Sequence, residues 1–107
     1  MPDSANFGRE AQRVISAVAH WTPARWRIPG PSGHDRAAAV ARLVQTLADL
    51  GAAAEHRPPK TVPRLANDAV LPDQLRVVAA DLIAAEPGAE LLAKADAAIK
   101  DARAVLF

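Results

Sequence analysis

The sequence predicts an all-α protein: a four-helix bundle of amphipathic Ala-rich helices with a long Pro-rich connection between helices two and three. Three observations carry that expectation. Four segments space their apolar residues three and four apart, and none alternates as a half-buried strand does. Of the 107 residues 26 are Ala, the strongest helix former. Prolines fall between the four segments or at their starts rather than inside them.

The first helix is expected over about residues 4–21. Phe7, Ala11, Val14, Val18 and Trp21 form its stripe, which Ile15 widens, while Arg9, Gln12, Arg13, Ser16 and His20 fall largely opposite. Pro23 ends it, because the residue before a proline avoids the helical region. Thr22 before Pro23 also reads as a new start, an N-cap with proline at the first helical position. One short turn through Ala24, Arg25 and Trp26 should follow. Pro29-Gly30-Pro31-Ser32-Gly33 then forbids regular structure.

The second helix is expected over 35–56. Asp35 is a favourable N-cap, and Val40, Leu43, Val44, Leu47 and Leu50 make the apolar face. Gly51 is a possible C-terminal cap, but the Ala52-Ala53-Ala54 run after it favours continuation, at a cost of about 1 kcal/mol relative to alanine. Pro58-Pro59 is a hard stop. From His56 to Leu71 there are three prolines and no helical period, a connection longer than compact domains usually tolerate. The third helix, 72–86, buries Leu71, Leu75, Val78, Leu82 and Ile83 and is broken by Glu86-Pro87-Gly88. The fourth, 88–106, turns Leu91, Leu92, Ala95, Ala98, Ile99, Ala102, Val105 and Leu106 inward. Glu90 with Lys94, and Asp96 with Lys100, stand four apart with the acid first, the favourable order for exposed pairs.

Composition bounds what such a bundle does. Leu, Ile, Val and Phe supply only 25 residues, so each large apolar side chain carries more of the core than usual. By size scaling the folded chain exposes roughly 5,700 Å² against about 16,400 Å² unfolded, enough burial for one small domain over 1–107 but too little to enclose a deep pocket. With no Cys, disulfides, thiolate catalysis and Cys-based metal sites are excluded, which fits a cytoplasmic protein. No signal-peptide pattern opens the chain and no uninterrupted apolar run suggests a membrane span. Frequent Ala, Arg, Asp and Pro with only three Lys suggest a GC-rich bacterial genome. Charge is uneven. Residues 1–64 hold nine Lys/Arg and five Asp/Glu, residues 65–107 four and seven, so +4 and −3 sum to the net +1.

No catalytic constellation emerges. His20, His34 and His56 show no metal-ligand spacing. Ser32, His34 and Asp35 contain triad residue types, but adjacency in sequence is not a triad, and Asp35 serves better as a cap. Asp68 and Asp73 flank a helix start, where acids favour the dipole. Gly30 and Gly33 lack the strand–turn–helix setting of a phosphate loop. No cofactor is called for.

Two basic segments are the candidate interaction residues. In Arg25-Trp26-Arg27 the tryptophan lies outside the apolar stripe; it either stacks on a partner or folds back with Ile28 to cap the bundle, its arginines reaching outward. Arg57-Pro58-Pro59-Lys60-Thr61-Val62-Pro63-Arg64 resembles a polyproline-type recognition strand but lacks P-x-x-P; otherwise it is a stiff strap held by Val62, Leu65 and Val70, with Val62 and Leu65 at least half buried. The functional expectation is a non-enzymatic helical module for protein–protein contact, with an unknown partner or with itself as a homodimer. A less favoured alternative is a nucleic-acid accessory protein using Arg9, Arg13, Arg25, Trp26 and Arg27 with Arg57, Lys60 and Arg64. A small-ligand or enzymatic bundle is the least favoured.

Overall fold

In a computed structural model, which describes residues 3–107, all regular secondary structure among the described residues is helical. Helix α1 spans Ser4–Val18, and its Asp3 cap accepts from the Asn6 amide at 2.7 Å. The helix stops three residues short of the expected end. Thr22 must be extended to cap the next helix, so Trp21 is left in the turn between them, its amide donating to the Val18 carbonyl. The short α2, Pro23–Arg27, starts at that Thr22 cap, which accepts from the Arg25 amide at 3.2 Å.

Helix α3, Arg36–Ala54, is capped by Asp35 at the Ala38 amide and runs straight through Gly51. It closes with the Arg57 amide on the Ala52 carbonyl and the His56 amide on the Ala53 carbonyl, a Schellman-type end. The left-handed position of that motif falls on His56, at φ 55°. After the connection, one 3-10 turn at Asp68–Val70 leads into α4, Leu71–Ala84, and α5 covers Ala89–Leu106. On α5 the Glu90–Lys94 pair forms at 3.8 Å, whereas Asp96 and Lys100 form no ion pair although both line a cleft toward α1 with Asn6 and Glu10.

Directions follow from cross-chain contacts. Gly51 near the end of α3 faces the Leu82 backbone near the end of α4 at 3.9 Å from an added Cβ, while Gln45 and Gln74, both nearer the helix starts, reach successive residues of the connection. So α3 and α4 run parallel. Helix α1 opposes α4, its Gly8 lying beside Ile83, and α5 opposes α3, its last residues meeting the chain that enters α3. Helix α3 packs on α4 and α5, and α1 packs on the same two; α1 does not pack along α3, nor α4 along α5. Phe7, Val14, Val18, Trp26, Val40, Leu43, Leu47, Leu71, Leu75, Leu82, Ile99 and Leu106 fill the space between.

Parallel neighbours explain the long connection. Helix α3 is about 28 Å long at 1.5 Å per residue, and the chain must travel back along it before α4 begins. Residues 55–67 have the reach, about 40 Å at 3.1 Å per residue. They stay mostly exposed: of the three expected anchors Val62 packs partly buried against the core and Val70, in the 3-10 turn, is partly buried, while Leu65, 47% exposed, is just over half buried but does not pack on the core. The total accessible surface, 6197 Å², exceeds the size-scaling value accordingly. Among the described residues helix α3 alone is long and apolar enough by composition to cross a membrane, but Val40, Leu43, Val44 and Leu47 on it are core residues.

Candidate interaction surface

Three of the four aromatic residues gather at one end, and the fourth, Phe7, is buried near the start of α1. Trp21 follows α1, Trp26 sits on α2 and Phe107 follows α5. Trp21 meets Trp26 edge-on, with centroids 4.9 Å apart, and Phe107 at 6.1 Å. Both geometries place a ring edge against a ring face, the favourable arrangement for aromatic quadrupoles. Trp26 is 2% exposed and belongs to the core, so the sequence candidate for stacking on a partner is not available to do so. Its burial follows from the Thr22-Pro23 start, which turns α2 back over the helix ends against α3 and the 3-10 turn.

Trp21 takes the exposed role instead. It is half-buried, and the guanidinium carbons of Arg25 and Arg36 each lie 5.2 Å from its ring centroid, within cation–π range. Among the described residues neither arginine has a carboxylate within ion-pair distance, and the buried Arg36 Nε has no hydrogen-bond partner. Stacking engages the guanidinium face and leaves in-plane N–H donors for a planar acceptor. Phe107, 53% exposed and edge-on to Trp21, extends the surface with apolar area; Ile28, which follows α2, is 54% exposed. Arg27 points elsewhere, into a shallow cleft with Pro23, Asn67 and Asp68.

The second basic segment is not part of this surface. Arg57 pairs with Glu55 at 3.2 Å and Arg64 with Asp68 at 3.0 Å, while Lys60 lies with Arg57 over an open cleft between α3 and α4. Arg13 pairs with Glu10, which also takes Arg103 at 2.7 Å. The candidate basic residues therefore do not share one face: Arg25 lies at the aromatic end, Arg27 in the cleft beside it, Arg57, Lys60 and Arg64 on the connection and Arg13 on α1. Backbone recognition holds the connection: the Gln45 side-chain amide donates to the Lys60 carbonyl at 3.0 Å and accepts from the Val62 amide at 2.8 Å, and Gln74 donates to the Pro63 carbonyl.

Sequence reasoning missed Trp21, Arg36 and Phe107 as one group. They stand far apart in the chain, and Trp21 continues the apolar stripe of the first helix, which reads as core. The one available signal was Thr22-Pro23, which forces a turn at Trp21. Among the described residues no group of three His, Asp or Glu is placed to hold a metal ion, and the clefts are open and shallow, one of about 370 Å³ lying between α3 and α5. No family model, no curated protein and no solved structure matches the chain.

Proposed function

We propose that this chain is a small, non-enzymatic protein–protein interaction module. Its four long helices form a four-helix bundle with a Pro-rich crossover, and its aromatic end binds an acidic partner protein. The observation that carries the reading is Trp21 with Arg25 and Arg36 each 5.2 Å from its ring and neither ion-paired among the described residues, beside exposed Phe107. Tryptophan and arginine dominate binding energy at protein interfaces because they combine large apolar area with directed donors. A carboxylate-bearing partner supplies the acceptors these arginines lack. Two copies meeting through this end would oppose arginine to arginine, so the charge favours a different protein here. A cytoplasmic setting, inferred from the absence of cysteine, belongs to the same reading.

The test is capture from native lysate with three baits: wild type, Arg25→Glu with Phe107→Ser, and Arg57→Glu with Lys60→Glu. A specific acidic protein should be retained by the first and third and lost from the second. Equal retention on all three, or none on wild type, overturns the proposal. Binding of DNA or RNA at about 50 mM salt that weakens steeply as salt rises would favour the nucleic-acid alternative.

A further inference from the structure

Helix α1, from the half before the connection, packs on α5, from the half after it, and a polar seam follows one edge of their contact. Asn6 and Glu10 on α1, with Asp96, Ile99, Lys100 and Arg103 on α5, line an open cleft of about 340 Å³. Ile99 is buried, Asn6, Glu10 and Asp96 are half-buried, and Lys100 and Arg103 stand at the exposed rim. Glu10 is already spent. One of its oxygens takes Arg103 across the cleft at 2.7 Å and the other takes Arg13 at 3.1 Å, both charge-assisted bonds.

The remaining polar groups are not spent. Asn6 uses its backbone amide, not its side chain, on the Asp3 cap. Among the described residues neither Asp96 nor Lys100 has an ion-pair partner. Asp96 Oδ1 is buried without a hydrogen-bond partner. A carboxylate with one oxygen cut off from water is weakly screened, so it draws a cation more strongly than an exposed carboxylate does. Lys100, one turn further along α5, does not fill that role, since the two heads stay beyond ion-pair distance although residues four apart carry Cβ atoms about 5–6 Å from each other.

Charge decides what fits between them. Glu10 and Asp96 balance Lys100 and Arg103 around the cleft. A diamine is repelled by the two cations and a dicarboxylate by the two acids, whereas a molecule with one charge of each sign meets an opposite charge at either end. In an α-amino acid a single carbon separates ammonium from carboxylate, a spacing that bridges an acid and a base one helical turn apart. We propose that the cleft between α1 and α5 binds a small free α-amino acid, its ammonium against the Asp96 carboxylate and its carboxylate on Lys100 and the Asn6 side-chain amide. Ile99, the one apolar lining residue, is 2% exposed, so no apolar floor awaits a long side chain. The cleft is separate from Trp21, Arg25 and Arg36, and the proposal does not rest on the acidic partner of the aromatic end.

The test is titration of the isotope-labelled full-length protein with alanine, followed by chemical shifts. Saturable shifts centred on Asn6, Asp96 and Lys100 are expected, with a dissociation constant of about 1–10 mM. N-acetylalanine lacks the ammonium and ethylamine lacks the carboxylate; each should bind at least about tenfold more weakly, the loss of one hydrogen bond to a charged group. Asp96→Asn and Lys100→Gln should weaken alanine binding to the same extent, while Lys94→Gln, on α5 but facing the cleft with α3, should leave it unchanged. Lys100 is exposed, so its variant reports on the site whatever Asp96→Asn does to the helix contact. The absence of saturable shifts at ~100 mM alanine overturns the proposal. So does equal binding of either one-charge analogue, or binding that survives Lys100→Gln unchanged.

Discussion

At residue scale, two backbone positions respond to substitution in opposite directions. Gly30 is buried where the chain enters α3 and lies against the end of α5; a Cβ built there falls 1.8 Å from the Val105 carbonyl oxygen. The obstacle is backbone at the end of a packed helix, so neither side yields easily. Gly30→Ala should cost about 2–3 kcal/mol, at the upper end of overpacking penalties, read as a lowered denaturant midpoint. An unchanged midpoint would show that the loop shifts freely. His56 is the reverse case. It occupies the left-handed position that ends α3, where glycine carries no Cβ penalty. His56→Gly should add about 0.5–1 kcal/mol, with the Arg57–Ala52 backbone bond retained. A loss of stability would mean the imidazole makes a contact worth more than the strain.

At the scale of the element, the four long helices were legible because a three-four stripe, a capping residue and a proline or glycine break are all local signals. Asp35 and Thr22 cap where expected, and Gly51 lies inside its helix because the alanines after it continue the pattern. The connection was legible as extended and proline-rich, but not in how it is held. Val62 and Leu65 look equivalent in the sequence, yet the anchor is a glutamine on the far side of α3's polar pattern. Gln45 lies 15 residues from Lys60 and 17 from Val62, and no local pattern announces an amide that reads another segment's backbone. Removing that amide should loosen the strap without melting the helices. Gln45→Ala is expected to cost about 1–2 kcal/mol, two modest hydrogen bonds. It should also expose the Val62 amide to hydrogen exchange and speed tryptic cleavage after Lys60 and Arg64. Protection at Val62 equal to wild type would show that apolar contact alone holds the strap.

For the whole molecule, topology was the part the sequence withheld. An apolar stripe says that a helix has a buried face, not which helix covers it; the parallel course of α3 and α4 and the grouping of Trp21, Arg36 and Phe107 depend on that pairing. The pairing also sets how the protein unfolds. With the packing of the long helices lying between the halves, damage in α1 removes the surface that α4 and α5 rest on, and α3 alone offers each only one side. Val14, in the second half of α1, is 1% exposed. A carboxylate forced in there has no partner, and burying it costs several kcal/mol against a total stability of roughly 5–10 kcal/mol for a domain of this size. Val14→Asp alone, at low micromolar concentration, should therefore lose helical signal across the whole chain, with amide protection falling together in α1, α3, α4 and α5. Helices shorter than about 12–15 residues are marginal in water without packing, and the longer ones here are only slightly above that length, so no half should persist as a remnant. Retention of a cooperative melt, or of protected amides confined to α4 and α5, would show instead that the second half has a core of its own.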